Sequence, residues 1–209
     1  EAVEKFTLDK PALVCRWRMS NKKVPMLNRH IRALSERLVQ GEPLTHNMLS
    51  WAKQHVEWSL AEGDYTAHDG VLMLVIDVSG NAAMTVGEYE PLADTSAKAL
   101  RARSAEARSE ADETGVAPEL LAAVNNGELA FVAPTDECLC GTATLIEQLA
   151  QTKGIPVTRV DIPAQLKGAL FLVSDEHGVV PAADADAAES DAATVAFFAD
   201  GYEKLRARR

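Results

Sequence analysis

Cysteine is scarce. The 209 residues hold three, Cys15, Cys138 and Cys140, and an odd count without framework spacing predicts reduced thiols rather than a disulfide scaffold. Cys138 and Cys140 stand close enough to share a metal. No second pair of Cys or His lies near them in the sequence, so no metal is expected and both read as small residues of a turn or strand. Positive charge is also short: 21 Lys and Arg against 31 Asp and Glu leave a net charge of −10, which argues against a nucleic-acid partner and its basic face. Long apolar runs are missing too. None approaches the roughly 20 residues that span a bilayer, and the first residues, EAVEKFTLDK, have no apolar signal core. No membrane partner is expected, and the cytoplasm is the default location. With 47% hydrophobic and 25% charged residues, the chain has ordinary globular composition and enough length to bury a core.

The clearest organisation lies in residues 141–174. Leu145, Ile146, Leu149 and Ala150 recur at helical spacing, and Gly154 stands where a helix end needs positive φ. Ile155–Ile162 alternates like a strand with one buried face, and Ala169–Ser174 is a short apolar run suited to a core strand. Upstream, Ala12–Met19 reads as a strand and Asn21-Lys22-Lys23 as a turn. Ile31, Leu34 and Leu38 mark a helix that Gly41 closes. Thr45 caps a second helix through about Leu60, with Leu49, Ala52 and Val56 inward and Trp51, His55 and Trp58 on an adjacent stripe that suits core or dimer surface. Val71–Val78 is a buried strand between turn signals, and Ala82–Glu88 is its hairpin partner.

Glu90–Thr95 is a polar connector and divides the chain into an N-terminal α/β part, 1–90, and a C-terminal α/β part, 91–209. Residues 96–115 are rich in Ala, Arg and Glu and end in Gly115, which predicts a helix. Glu119–Val124 reads as a short strand or a helix end. Asn126-Gly127 is a hairpin turn leading into the strand Glu128–Val132. His177-Gly178 turns into VVPAAD. A last helix over Ala192–Arg206 carries Val195, Phe198, Tyr202 and Leu205 on one stripe. The fold class is therefore α/β, of the α+β type.

Several pieces in this order resemble the class IV aminotransferases, the fold-type IV group of pyridoxal-phosphate (PLP) enzymes that includes branched-chain and D-amino-acid aminotransferases and aminodeoxychorismate lyase. RHIRALSERL is similar to the family's H-L-x-R-L helix. Lys98 precedes ARSEADETG as the family lysine precedes its Ala-rich helix. NNGELAF resembles D-G-x-v-x-E, LCGTATLIEQLAQTKGIPV resembles the glycine loop and helix before "GIPV", and ALFLVSDEHGVVP resembles a strand and turn ending in G-v-x-P. The resemblance implies a short, divergent member and a homodimer. It implies PLP as cofactor and a small amino acid or keto acid as substrate, in a transaminase or lyase reaction. Lys98 then forms the Schiff base. Gly141, Thr142 and Thr144 at a helix start, with Ser174 and Arg32, hold the phosphate.

The departures point the other way. The family arginine falls on Ala33, and Arg32 is displaced by one residue, about 100° around a helix. The acid that partners the pyridine nitrogen falls on Phe131, with Glu128 three residues away on the opposite face. The loop threonine falls on Ala143, between Thr142 and Thr144. Helix capping explains those hydroxyls equally well. Arg16 and Arg18 suit a substrate carboxylate or, more simply, surface pairing with the acidic excess. Two functions stay open: a PLP-dependent transferase or lyase, and a descendant of that fold that has lost PLP and serves as a binding or accessory protein.

Overall fold

The computed structural model describes residues 8–63, 69–115 and 119–208. Most of the N-terminal stretch without a signal core lies outside them. Three strands, β1 (Pro11–Ser20), β4 (Asp69–Asp77) and β5 (Ala82–Glu88), form an antiparallel sheet in the order β1-β4-β5, leaving β5 at its edge. Strand residues alternate between faces. Leu13, Cys15, Trp17 and Met19 therefore point with Leu72, Leu74 and Ile76 into one core. Helices α1 (Leu27–Ser35) and α2 (His46–Glu62) close that core with Leu27, Leu34, Ala52, Val56 and Leu60. Thr45 caps α2, its hydroxyl accepting from the Met48 amide at 3.1 Å.

The first helix ends sooner than its pattern suggests. Residues 38–43 instead form a hairpin, β2 (Leu38–Val39) with β3 (Glu42–Pro43). Gln40 and Gly41, at φ 51° and 80°, make its turn. Gly41 supplies positive φ, as the sequence suggests, but to a hairpin rather than a helix cap.

The second sheet has five strands: β6 (Leu120–Asn125), β7 (Glu128–Val132), β8 (Val157–Val160), β9 (Ala169–Ser174) and β10 (Gly178–Pro181), in the order β10-β9-β6-β7-β8. Only β7 and β8 run parallel, joined by α4 (Gly141–Thr152), the kind of crossover that parallel strands require. The sheet is covered on both faces. Ala122, Val124, Phe131, Phe171 and Val173 face α4 and α5 (Glu189–Arg206), meeting Ala143, Ile146, Val195 and Phe198. Leu121, Ala123, Leu170 and Leu172 face the other way, against Leu100 of α3 (Ala97–Thr114). The buried Asp191 carboxylate fastens α5 to the β6–β7 turn, accepting from the Asn126 amide at 2.9 Å and the Gly127 amide at 3.0 Å. The two sheets meet where the Arg18 amide of β1 donates to the Asp175 carbonyl in the β9–β10 turn, at 3.0 Å.

Candidate functional site

The start of α4 is the meeting point of β1, α1 and the β9–β10 turn. The first amides of a helix have no partner within it and attract anions. Here the amides of Thr142, Ala143 and Thr144 find partners inside the chain. The Asp175 carboxylate accepts from the Thr142 amide at 2.9 Å and from the Thr142 hydroxyl at 2.8 Å, both on Oδ1. The Ala143 amide meets the Cys140 thiol, and the Thr144 amide donates to the Cys140 carbonyl at 3.1 Å. The Thr144 hydroxyl donates to the Gly141 carbonyl at 2.6 Å and accepts from Arg29 at 3.2 Å. Arg29 also reaches Gln148. Ser174 accepts from the Glu176 and His177 amides at 3.2 and 3.0 Å, so its hydroxyl shapes its own turn.

His30 fills the remaining room. It is 3% exposed and stacks on Trp17, with ring centroids 5.3 Å apart and planes 11° from parallel. Its ring lies against Gly141 so closely that a Cβ there would stand 2.5 Å from Nδ1. Nδ1 points at Asp175 Oδ1 across 3.6 Å and has no hydrogen-bond partner among the described residues. A small cavity of about 20 Å³ remains between Cys15, Trp17, His30, Arg37, Cys140 and Asp175, room for about one water molecule. Burial pushes both buried thiols up, Cys15 to about 12, so neither is a ready nucleophile. Among the described residues, no three His, Cys, Asp or Glu are placed to hold a metal.

A polar seam runs from this junction along the outer side of β1. Arg18 lies over the Tyr89 ring at 3.6 Å, and the Tyr89 hydroxyl contacts His177 Nδ1 at 3.1 Å. His177 Nε2 is 3.7 Å from Glu176, and Arg103 sits between Glu176, at 3.6 Å, and Glu119, at 3.0 Å. Burial, with Arg103 and Arg18 nearby, pulls His177 down to about 4 and keeps it neutral. Burial and the Glu119 charge push Glu176 above the usual carboxylate range. Arg16 is spoken for by Glu110 at 3.9 Å, the surface pairing expected of it. Arg18 instead turns inward onto Tyr89.

The structure corrects several expected positions. Lys98 is exposed in the first turn of α3, on the face of the five-stranded sheet opposite the start of α4. The two do not line one pocket. Arg32 is exposed at the end of α1; the arginine that reaches α4 is Arg29, one turn earlier. Gly141, Thr142, Thr144 and Ser174 do gather at the junction, but the amides and hydroxyls of Thr142 and Thr144 already donate within the chain, and the Ser174 hydroxyl serves its own turn. Phe131 is wholly buried in the core beneath α4 and α5. Asp175 and His30 are the residues that sequence reasoning passes over. His30 shares the buried face of Leu27 and Leu34 at helical spacing, a signal legible in the sequence. Asp175 lies 33 residues from the helix it caps and carries no local signal.

No family model matches this sequence, nor does any curated protein. Solved structures do match. A hypothetical aminotransferase from Mycobacterium tuberculosis in its PLP-bound form superposes with a TM-score of 0.63 at 10% identity, over 98% of this chain and 96% of that one. The fold IV transaminase from Curtobacterium pusillum gives 0.61 at 15% identity, over 100% and 93%. A candidate 4-amino-4-deoxychorismate lyase from Legionella pneumophila gives 0.63 at 11% identity, over 95% and 96%. An α/β chain that superposes almost end to end on these proteins has the fold of the class IV aminotransferases, fold type IV.

Proposed function

We propose that this chain is a fold-type IV scaffold that works without PLP, as a binding or accessory protein. The observation that supports this is Asp175. A carboxylate accepting from both the amide and the hydroxyl of Thr142 already supplies the negative charge that the helix start would otherwise take from a phosphate. A phosphate there would also face that carboxylate at contact distance, and the like charges repel. Three further observations agree: the His30 ring stands over Gly141, Phe131 offers no carboxylate to a ring nitrogen, and Lys98 lies on the other face of the sheet. The residues present therefore do not fit the cofactor. On this reading the chain acts in the cytoplasm as a homodimer. The exposed Leu38, Trp51 and Trp58 provide apolar surface for that contact.

The competing reading is a PLP-dependent aminotransferase or amino-acid lyase acting on a small amino acid or keto acid. The likeness to a PLP-bound protein favours it. The two separate in one experiment. The purified protein is scanned for aldimine absorbance, titrated with PLP, and treated with borohydride before peptide mass analysis. The PLP-free reading expects a colourless protein, no saturable binding and no pyridoxyl-lysine. A coloured protein with one equivalent of PLP trapped on a lysine refutes it, and loss of that colour in Lys98→Ala identifies the lysine.

A further inference from the structure

The contact between His30 and Asp175 is mismatched as it stands. At 3.6 Å it is too long for a hydrogen bond, yet Nδ1 is fully buried and has no other partner among the described residues. Neither side has freedom to back away. His30 is sandwiched between Trp17 and Gly141. Asp175 is held by Thr142 through its side chain and by Arg18 through its carbonyl. The groups facing the ring are Cys15 from β1, the Pro25 carbonyl before α1, Arg37 just after α1, Cys140 from the start of α4 and Asp175 from the β9–β10 turn, with Arg29 beside it on α1. Asp175 is the one carboxylate among them, and a charged acceptor becomes a strong partner when the imidazole gains a proton.

We propose that His30 and Asp175 form a proton-operated latch between the N-terminal layer and α4. Neutral His30 leaves the Asp175 carboxylate to Thr142, and protonated His30 donates from Nδ1 to the same Oδ1, drawing it off the helix start. In the charged ring both nitrogens carry protons, so the donor at Nδ1 is obligatory. That oxygen already accepts twice; a third, charged donor weakens the other two bonds. Burial holds the ring neutral and opposes the proton, Asp175 favours it, Arg29 opposes it, and the Pro25 carbonyl favours it. The latch therefore stays closed near neutrality and opens only on acidification. What opens is the tie that joins β1 to α4 through a single residue, Asp175.

Trp17 reports the event, because an imidazolium stacked on an indole quenches its fluorescence. His55 stacks on Trp51 in the same way, so the protein is tested with Trp51→Phe and Trp58→Phe, which leave Trp17 as its one tryptophan. Between about pH 8 and about pH 4, Trp17 emission should fall with a midpoint below the ordinary histidine value of 6.5. Exchange of the Thr142 amide, relative to its intrinsic rate, should rise about tenfold over the same midpoint. His30→Phe keeps the stack and should abolish both responses, and His30→Gln serves if the phenylalanine variant does not fold. Asp175→Asn removes the charge that attracts the proton and should move the midpoint to lower pH. Emission that stays flat to about pH 4, emission that falls equally without His30, or a Thr142 amide that ignores the titration each overturns the latch.

Discussion

Replacing Gly141 by alanine tests the packing on which the whole junction depends. An alanine Cβ would stand 2.5 Å from His30 Nδ1 and 3.2 Å from its Cε1. The nearer contact overlaps by roughly 1 Å relative to ordinary van der Waals separation. His30 has nowhere to go, since Trp17 lies flat against its other side. Forcing a methyl into such a place costs about 1–3 kcal/mol. Against this, glycine to alanine at a helical position gains at most about 1 kcal/mol. The clash wins, and Gly141→Ala should lose about 1–2 kcal/mol. In a His30→Ala background the clash is gone and the helical gain remains, so the same substitution should become neutral or mildly stabilising. Urea unfolding followed by circular dichroism, on the four corners of the cycle, gives the coupling energy. If Gly141→Ala is neutral or stabilising with His30 in place, His30 does not occupy the start of α4. The latch would then have no ring in place to act on Asp175.

Two further outcomes follow from named contacts. Asp191→Ala removes both acceptors for the Asn126 and Gly127 amides; because that turn is exposed, water takes over part of the loss, and urea unfolding should show a cost of about 1–2 kcal/mol. His177, pulled from 6.5 to about 4, binds a proton less readily folded than unfolded. Its contribution to stability is present above 6.5 and is lost as pH falls from 6.5 toward 4. That interval has a ceiling of roughly 3 kcal/mol, which solvent screening lowers to about 1–2 kcal/mol. Unfolding of the protein and of His177→Gln across this range should differ by that amount, and parallel pH curves would show that His177 titrates normally.

Local patterns account for what was legible in the sequence. The two-residue alternation of β1, the helical spacing in α4 and α5, and the Asn126-Gly127 turn are set by neighbours a few residues apart, and each element lies where its pattern places it. Gly41 shows the limit: positive φ serves a helix end and a hairpin turn equally, and the two-strand hairpin of residues 38–43 decides between them. Lys98 shows a deeper one. Helical periodicity says which side of α3 is buried but not which face of the sheet α3 covers, and that face separates Lys98 from Gly141. The order of motifs carried the fold, because topology survives substitution. It did not carry the site, because a site depends on single side chains such as Asp175 and Phe131.

The position of β5 has a consequence of its own. Its seven residues, AAMTVGE, contain no proline and no lysine, and the only charge comes at the last residue. Among the described residues, one side of this strand carries no ladder beyond β4. Natural sheets usually blunt such a border with a basic side chain, a bulge or a covering loop. Left plain, its main-chain donors and acceptors offer a template on which an extended segment of another polypeptide can continue the sheet.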